Sequence, residues 1–317
     1  MDTSRCRAFV AAARGGSFSR AAEDMNYTTS AVSQLITALE ADLGVKLFHR
    51  SRKGVTLTAD GERMYPHIFN LVRQEDRVYE TAADICGLLV GEIVISAYPS
   101  ICAAWLPDIL RPFQQMYPGI RIRIDDSIRR YVLEALTSGR ADVGFLSDQH
   151  DYAGEWIDLT TNPVVAVVGK DSEYASLDAF PLSECARAAL IQSSYGTDKD
   201  LARIFETYNL TPNIVYTTRN SFTAAAMAQN NMGVLLVNEL STRMWNYDVK
   251  ILPLDPPQSI SLGMAVSSMS TATPAVKTFV RFVRRRFQGE RLDGTSPFDY
   301  SEADTARRDP KEGATHG

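Results

Sequence analysis

The stretch Thr28-Thr29-Ser30-Ala31-Val32-Ser33-Gln34-Leu35-Ile36-Thr37-Ala38-Leu39-Glu40-Ala41-Asp42-Leu43-Gly44 decides how the first sixty residues are read. Val32, Leu35, Ile36, Leu39 and Leu43 recur at spacings of three and four, the apolar stripe of an amphipathic helix. Thr28 or Thr29 suits its N-cap, and Gly44 its C-terminal stop. With the stripe turned to a core, Thr29, Ser30, Ser33, Gln34 and Thr37 lie toward the other side. Short hydroxyls and an amide of this kind reach phosphates and base edges in a major groove. The same pattern also suits a solvated helix face, and the helix alone does not decide between the two.

Working outward, Arg5 to Ala13 reads as a short helix that Gly15-Gly16 breaks. Ser17 can cap a second helix over Phe18 to Met25, and Asn26-Tyr27 make a tight turn before the third. Two helices joined by so short a turn form a helix-turn-helix. On the other side, Val45-Lys46-Leu47-Phe48 supplies apolar anchors. His49-Arg50-Ser51-Arg52-Lys53 is basic, and Gly54-Val55-Thr56-Leu57-Thr58 returns as a strand. A basic hairpin after such a helix is a wing, which lies along phosphates or in the minor groove. Charge agrees: residues 1–60 hold 8 Lys/Arg against 6 Asp/Glu, whereas the whole chain has net charge −5. A mildly basic head on an acidic body fits a nucleic-acid module joined to something that avoids DNA.

Gly16-Ser17-Phe18-Ser19, Ala21-Ala22, Ala31-Val32-Ser33-Gln34, Leu39-Glu40, Leu43-Gly44, Leu47-Phe48, Arg50, Leu57-Thr58 and Gly61 together resemble the DNA-binding domain of the LysR-type transcriptional regulators. The resemblance covers about sixty residues without a gap. It places Thr29, Ser30, Ser33 and Gln34 at the start of a recognition helix, and Arg50, Arg52 and Lys53 in its wing; Thr28 and Thr37 beside them complete the expected DNA contacts. The family often has Gln-Pro where this chain has Thr29-Ser30, and Arg where it has Gln34, so base preference does not carry over.

Thr58 can cap a long helix with Asp60 in its first turn. Met64, Ile68, Leu71, Glu75, Val78, Ala82, Ile85 and Leu89 alternate spacings of four and three, a coiled-coil seam interrupted by Glu75. Pro66 is expected to kink the helix rather than end it. The resemblance implies that this linker dimerises, and two heads on a two-fold axis read two half-sites.

From Gly91 onward strands and helices alternate. Strands are expected at 92–97, 121–125, 142–146, 164–168, 189–192, 214–217, 234–237 and 262–266. Helices are expected at 101–116 (broken by Pro107 and Pro112), 131–138, 199–208, 222–230 and 275–287. This order implies a mostly parallel sheet covered by helices, with ligands at strand carboxyl ends and helix N-termini. Leu106-Pro107, Phe113, Tyr117-Pro118, Gly139, Asp142-Val143, Gly233-Val234 and Phe279 resemble the co-inducer-binding domain of the same family, a two-subdomain, periplasmic-binding-protein-like α/β fold. Asn231 and Asn238 depart from its usual Gly and Pro.

The expected organisation is a multidomain α+β and α/β chain. A winged helix-turn-helix spans 1–58 and a dimerisation helix 59–89. An effector domain spans 90–288, with subdomains at about 90–162 plus 267–288 and at 163–266. Gln288 to Gly317 is polar and charged and reads as a disordered tail beyond that domain, from about 289. Ser100, which opens a helix after the first strand, also matches the family's usual effector contact. Ile101, Ser147, Ser193, Tyr195, Asn220, Ser221 and Thr223 complete the expected effector site; Arg129 and Arg130 suit pairing with an anion, but are expected in solvent. The expected effector is a small organic anion.

The exclusions are equally specific. No apolar run reaches the roughly 18 residues of a membrane span, and no basic start precedes an apolar core, so neither membrane association nor a signal peptide is expected. Cys6, Cys86, Cys102 and Cys185 are scattered, which argues against zinc and disulfides and fits a reducing cytoplasm. The usual catalytic motifs are missing, so neither an enzyme nor a cofactor is expected. The expected partners are double-stranded DNA, RNA polymerase, a small-molecule effector and further copies of the chain, as homodimer or homotetramer.

Overall fold

The computed structural model describes residues 2–51, 54–86, 89–150, 152–193, 199–243 and 245–289. Arg52, Lys53, Tyr195 and nearly all of the expected tail lie outside the described residues.

Three helices and a hairpin make the head: α1 (Thr3–Gly15), α2 (Phe18–Met25), α3 (Thr29–Leu43), β1 (Phe48–Ser51) and β2 (Gly54–Leu57). Each helix boundary has a local cause. Ser17 Oγ accepts the Ser19 N–H at 3.2 Å and Thr28 Oγ1 accepts that of Ala31 at 3.2 Å, so Thr28 rather than Thr29 is the cap. Gly16 ends α1 at φ +64°, a left-handed conformation that costs a side chain nothing when there is none. Val32, Ile36 and Leu39 are buried with Phe9, Leu47 and Phe48, while Leu35 and Leu43 pack at the rim. Each fully buried side chain of this size contributes roughly 1.5–3 kcal/mol. Phe9, Phe18 and Phe48 meet at centroid separations of 5.3 and 5.6 Å.

The linker helix α4 (Ala59–Ile85) starts at Thr58, whose Oγ1 accepts the Gly61 N–H at 2.9 Å, and continues through Pro66. The expected seam divides. Met64 and Ile68 pack into the head with Phe69 and Val72. Glu75 turns to α1, accepting from Thr3 Oγ1 at 2.8 Å and Arg7 Nε at 2.9 Å. Leu71 is 37% exposed, and the later positions stand clearer still: Val78 is 67% exposed and Ile85 81%, beside Tyr79 at 68%. A straight helix drifts about 20° per heptad against a strict 3.5-residue repeat, so one stripe faces two surroundings.

Beyond it lie β3 (Gly91–Ala97), α5 (Pro99–Ala104), α6 (Leu106–Met116), β4 (Ile120–Asp126), α7 (Arg129–Thr137), β5 (Val143–Ser147) and β6 (Glu155–Gly169). There follow β7 (Phe180–Pro181), β8 (Leu190–Gln192), α8 (Lys199–Thr207), β9 (Ile214–Thr217), α9 (Ser221–Gln229), β10 (Val234–Asn238), α10 (Glu239–Thr242), β11 (Val249–Val266) and α11 (Pro274–Phe287). The sheet order is β4-β3-β5-β11-β6-β10-β8-β9. Its outer strands pair in parallel, as the alternation predicts, but β6 and β11 pair antiparallel with each other and with their neighbours β10 and β5, while β7 pairs parallel to β11 off this path. The sheet is therefore mixed. These two strands span both lobes and run 15 and 18 residues, where the sequence pattern shows only short apolar ends. Pro256 and Pro257 hid the middle of β11. Neither has an N–H for the ladder, and the register shifts between Pro253 and Gln258 to pass them. Leu262 to Ala265 pair with β5, so the crossing to the first lobe falls inside β11 rather than at residue 266.

The helix expected over 101–116 is broken as expected, but at Trp105 rather than at Pro107 or Pro112. Trp105 separates α5 from α6, Pro107 stands in the first turn of α6 and Pro112 is carried inside it. Asn231 adopts φ +54°, which explains why glycine is usual there and why Asn serves. Asn238 caps α10, accepting from the Ser241 N–H at 3.0 Å.

Candidate nucleic-acid interface and inter-lobe cleft

On α3 the side chains of Thr29, Ser30 and Gln34 are exposed and directed away from the head core. Ser30 Oγ lies 3.0 Å from Thr28 Oγ1 in a hydrogen bond, and Thr28, Ser33, Thr37 and Arg50 are also engaged within the fold. Thr28 caps the helix. Thr37 Oγ1 donates to the Ser33 carbonyl at 2.8 Å, the back-bond a hydroxyl makes one turn down a helix. Arg50 reaches from β1 across α3, donating to Ser33 Oγ and to Thr37 Oγ1 at 3.2 Å each, with its guanidinium 5.0 Å over the Phe18 ring. The wing arginine thus lies on the recognition helix and adds one fixed cation to its polar face.

The wing root is held by Glu40. Its carboxylate is 4% exposed and accepts from the Leu47 N–H at 2.9 Å, the Phe48 N–H at 3.4 Å and Lys46 Nζ at 2.6 Å. Burial opposes the charge, but the Lys46 and backbone bonds outweigh it and hold the carboxyl below its ordinary value. The hairpin also closes on the first turn: Val55 N–H donates to the Gly16 carbonyl at 2.9 Å. Gly54, at φ +128°, passes so near that carbonyl that a Cβ would sit 2.4 Å from its oxygen. Sequence reading registered Glu40 only as a matching letter, because its partners are seven and eight residues away and in an irregular turn.

Between the two lobes of the sheet lies a cleft of about 460 Å³. Of the residues expected at the effector site, Ser100, Ser193, Asn220 and Ser221 line it. Ile101 does not: one residue on, the helix turns it into the core, where it is fully buried. Thr223 is exposed outside the cleft, and its N–H is taken by the cap Asn220 Oδ1 at 2.9 Å. Ser147 ends β5 but is buried in a smaller neighbouring cavity, within 3.2 Å of Tyr98 Oη and 3.3 Å of Gln149 Nε2. Arg129 corrects the expectation of a solvated side chain. It is 9% exposed, lines the cleft and donates to the Ser147 carbonyl at 2.5 Å, while Arg130 stays outside and stacks on Tyr131 at 4.5 Å. Asp126, Asp200 and Arg219 also line the cleft and were not anticipated. The signal available was position: Asp126 ends a strand, and the other two stand at helix starts.

Burial pushes the Cys102 and Cys185 thiols up to about 12, so both stay protonated at neutral pH. Among the described residues no helix is long and apolar enough to cross a membrane, and no His, Cys, Asp and Glu gather as a metal site.

Two family models cover this architecture. The bacterial regulatory helix-turn-helix protein, lysR family, matches residues 3–62, and the LysR substrate binding domain matches residues 87–288. The chain belongs to the LysR family of transcriptional regulators. This LysR-type regulator is 28% identical over 293 residues to the uncharacterised HTH-type transcriptional regulator YvbU of Bacillus subtilis (strain 168), covering 92% of this chain and 100% of YvbU. Its fold is shared by full-length CbnR complexed with its target DNA, at TM-score 0.66 and 20% identity over 90% of this chain and 99% of that one. The effector binding domain of QuiR, in complex with shikimate, matches at TM-score 0.59 and 20% identity over 64% of this chain and all of that one. The LysR-type regulator is thus a DNA-binding transcription factor modulated through an effector domain, and not an enzyme.

Proposed function

We propose that the regulator reads promoter DNA in the cytoplasm through Thr29, Ser30 and Gln34 on α3. Arg50, Arg52 and Lys53 supply cationic contacts. The exposed end of α4 pairs two chains into a dimer, and dimers associate into a tetramer. A small organic molecule carrying an anionic group occupies the inter-lobe cleft. Its binding changes the angle between lobes, hence the spacing of the heads on the operator, hence recruitment of RNA polymerase. The observation that carries this reading is the polar face of α3, which stands clear of the fold on a head rigidly closed behind it. Arg129 and Arg219 in the cleft favour the anionic group.

The test is Gln34→Glu, an exposed position with no contact inside the head. Fluorescence anisotropy on the duplex upstream of the regulator's own gene is expected to show at least a tenfold loss of affinity with unchanged melting temperature. Equal affinity for variant and wild type overturns the reading of α3 as the base-contacting element.

A further inference from the structure

We infer that the cleft takes a zwitterion, an α-amino acid with an apolar side chain, rather than a simple organic anion. The inference rests on the reading of the cleft as the effector site. Its basis is the charge that lines the cleft. Each lobe contributes one carboxylate and one guanidinium: Asp126 and Arg129 from the first, Asp200 and Arg219 from the second. The inner pair is engaged in the fold. Arg129 donates to the Ser147 carbonyl, and Asp200 accepts from Gln149 Nε2 at 3.0 Å with Arg203 at 3.6 Å. The outer pair differs. Asp126 at the end of β4 and Arg219 before α9 are both exposed, and neither has an ion-pair or hydrogen-bond partner among the described residues.

A simple carboxylate satisfies Arg219 but brings its charge into a cleft that already holds the Asp126 carboxylate, and like charges in one cleft repel. A simple cation meets the reverse objection at Arg219. A ligand carrying both charges answers both walls at once. Its carboxylate lies at Arg219 and the start of α9, where backbone N–H groups and the helix dipole add to the guanidinium. Its ammonium lies at Asp126. Val164, Leu236 and Ile260 form an apolar floor between the lobes, which suits a hydrocarbon side chain. Because the two charges bind to different lobes, such a ligand also draws the lobes together, which a singly charged one does not.

The test is a thermal-shift screen of the full-length protein against the twenty L-amino acids within a general metabolite library. For each amino acid that stabilises, calorimetry then compares the deaminated acid and the amide, for example leucine, 4-methylpentanoate and leucinamide. An amino acid is expected to bind at least tenfold more tightly than either analogue. Asp126→Asn is expected to abolish the preference over the deaminated acid, and Arg219→Gln the preference over the amide. A deaminated acid that binds as tightly as its amino acid, or stabilisation only by sugars, nucleotides or simple acids, overturns the zwitterion assignment and leaves the effector cleft standing. No stabilisation by any metabolite overturns both. Preferences unchanged in the two variants overturn the assignment of Asp126 and Arg219.

Discussion

Glu40 binds the start of the wing with both carboxylate oxygens, and its value lies in the backbone groups it satisfies. The Lys46 ammonium is 74% exposed, so that ion pair contributes little. The Leu47 and Phe48 N–H groups are buried and have the carboxylate as acceptor, which is the stronger kind of hydrogen bond. Glu40→Ala is expected to cost about 2–3 kcal/mol by urea denaturation, the penalty for unsatisfied donors added to the lost bonds. Glu40→Gln, which keeps one acceptor, is expected to cost about half as much. Equal stability of all three proteins would contradict this account. Gly54 and Arg50 act beside it: one permits the wing to close on Gly16, the other ties the wing to Ser33 and Thr37. None of the three residues needs to touch DNA to decide where the polar face of α3 points.

At the scale of elements, α4 is bound to the head at its start and to the effector domain at its end. Arg73 pairs with Asp142 in a buried contact, and Asp142 also accepts the Val94 N–H at 2.9 Å. A buried pair of this kind contributes little net stability after desolvation but strongly disfavours any register that breaks it. Two turns on, Glu80 is buried against Gly91 and accepts the Glu92 N–H at 3.4 Å. Burial pushes its carboxyl above the ordinary value, against the pull of the Glu92 N–H and Arg73. The folded state therefore binds this proton more tightly than the unfolded chain. Glu80 contributes stability that is full below the ordinary carboxylate value, about 4.3, and is lost as pH rises through the raised one. Glu40 runs the other way, contributing above the ordinary value and losing it as pH falls. Glu80→Gln is accordingly expected to become more stable relative to wild type as pH rises from about 4. Urea melts of both proteins at several pH values test this, and a pH-independent difference would count against it.

Over the whole molecule, the proposed function has a ligand in the inter-lobe cleft bear on DNA at the head, and has a second chain enter at the exposed end of α4. Replacing both Val78 and Ile85 by Glu is expected to convert dimers to monomers in sedimentation with little change in monomer stability, since neither side chain is buried. It is also expected to flatten the salt dependence of operator binding by roughly half, because half the phosphate contacts are lost. An unchanged sedimentation coefficient would exclude this face of α4 as the interface. Features governed by local physics could be read from the residues alone. Caps within three residues, glycine stops and stripes of period 3.6 are legible because their partners lie within one helical turn. That made the head readable from Ser17, Thr28 and Gly44, and it made Ser100, Ser193, Asn220 and Ser221 findable as residues at strand ends and helix starts. Features that emerged only on folding involve partners far apart in the chain. Examples are Arg50 on α3, Glu75 turned to α1, the antiparallel crossing of β6 and β11 past two prolines, and Asp126 facing the same cleft as Arg219. Burial and pairing of charge depend on distance in space, and one-dimensional spacing carries no record of it beyond the reach of a single turn.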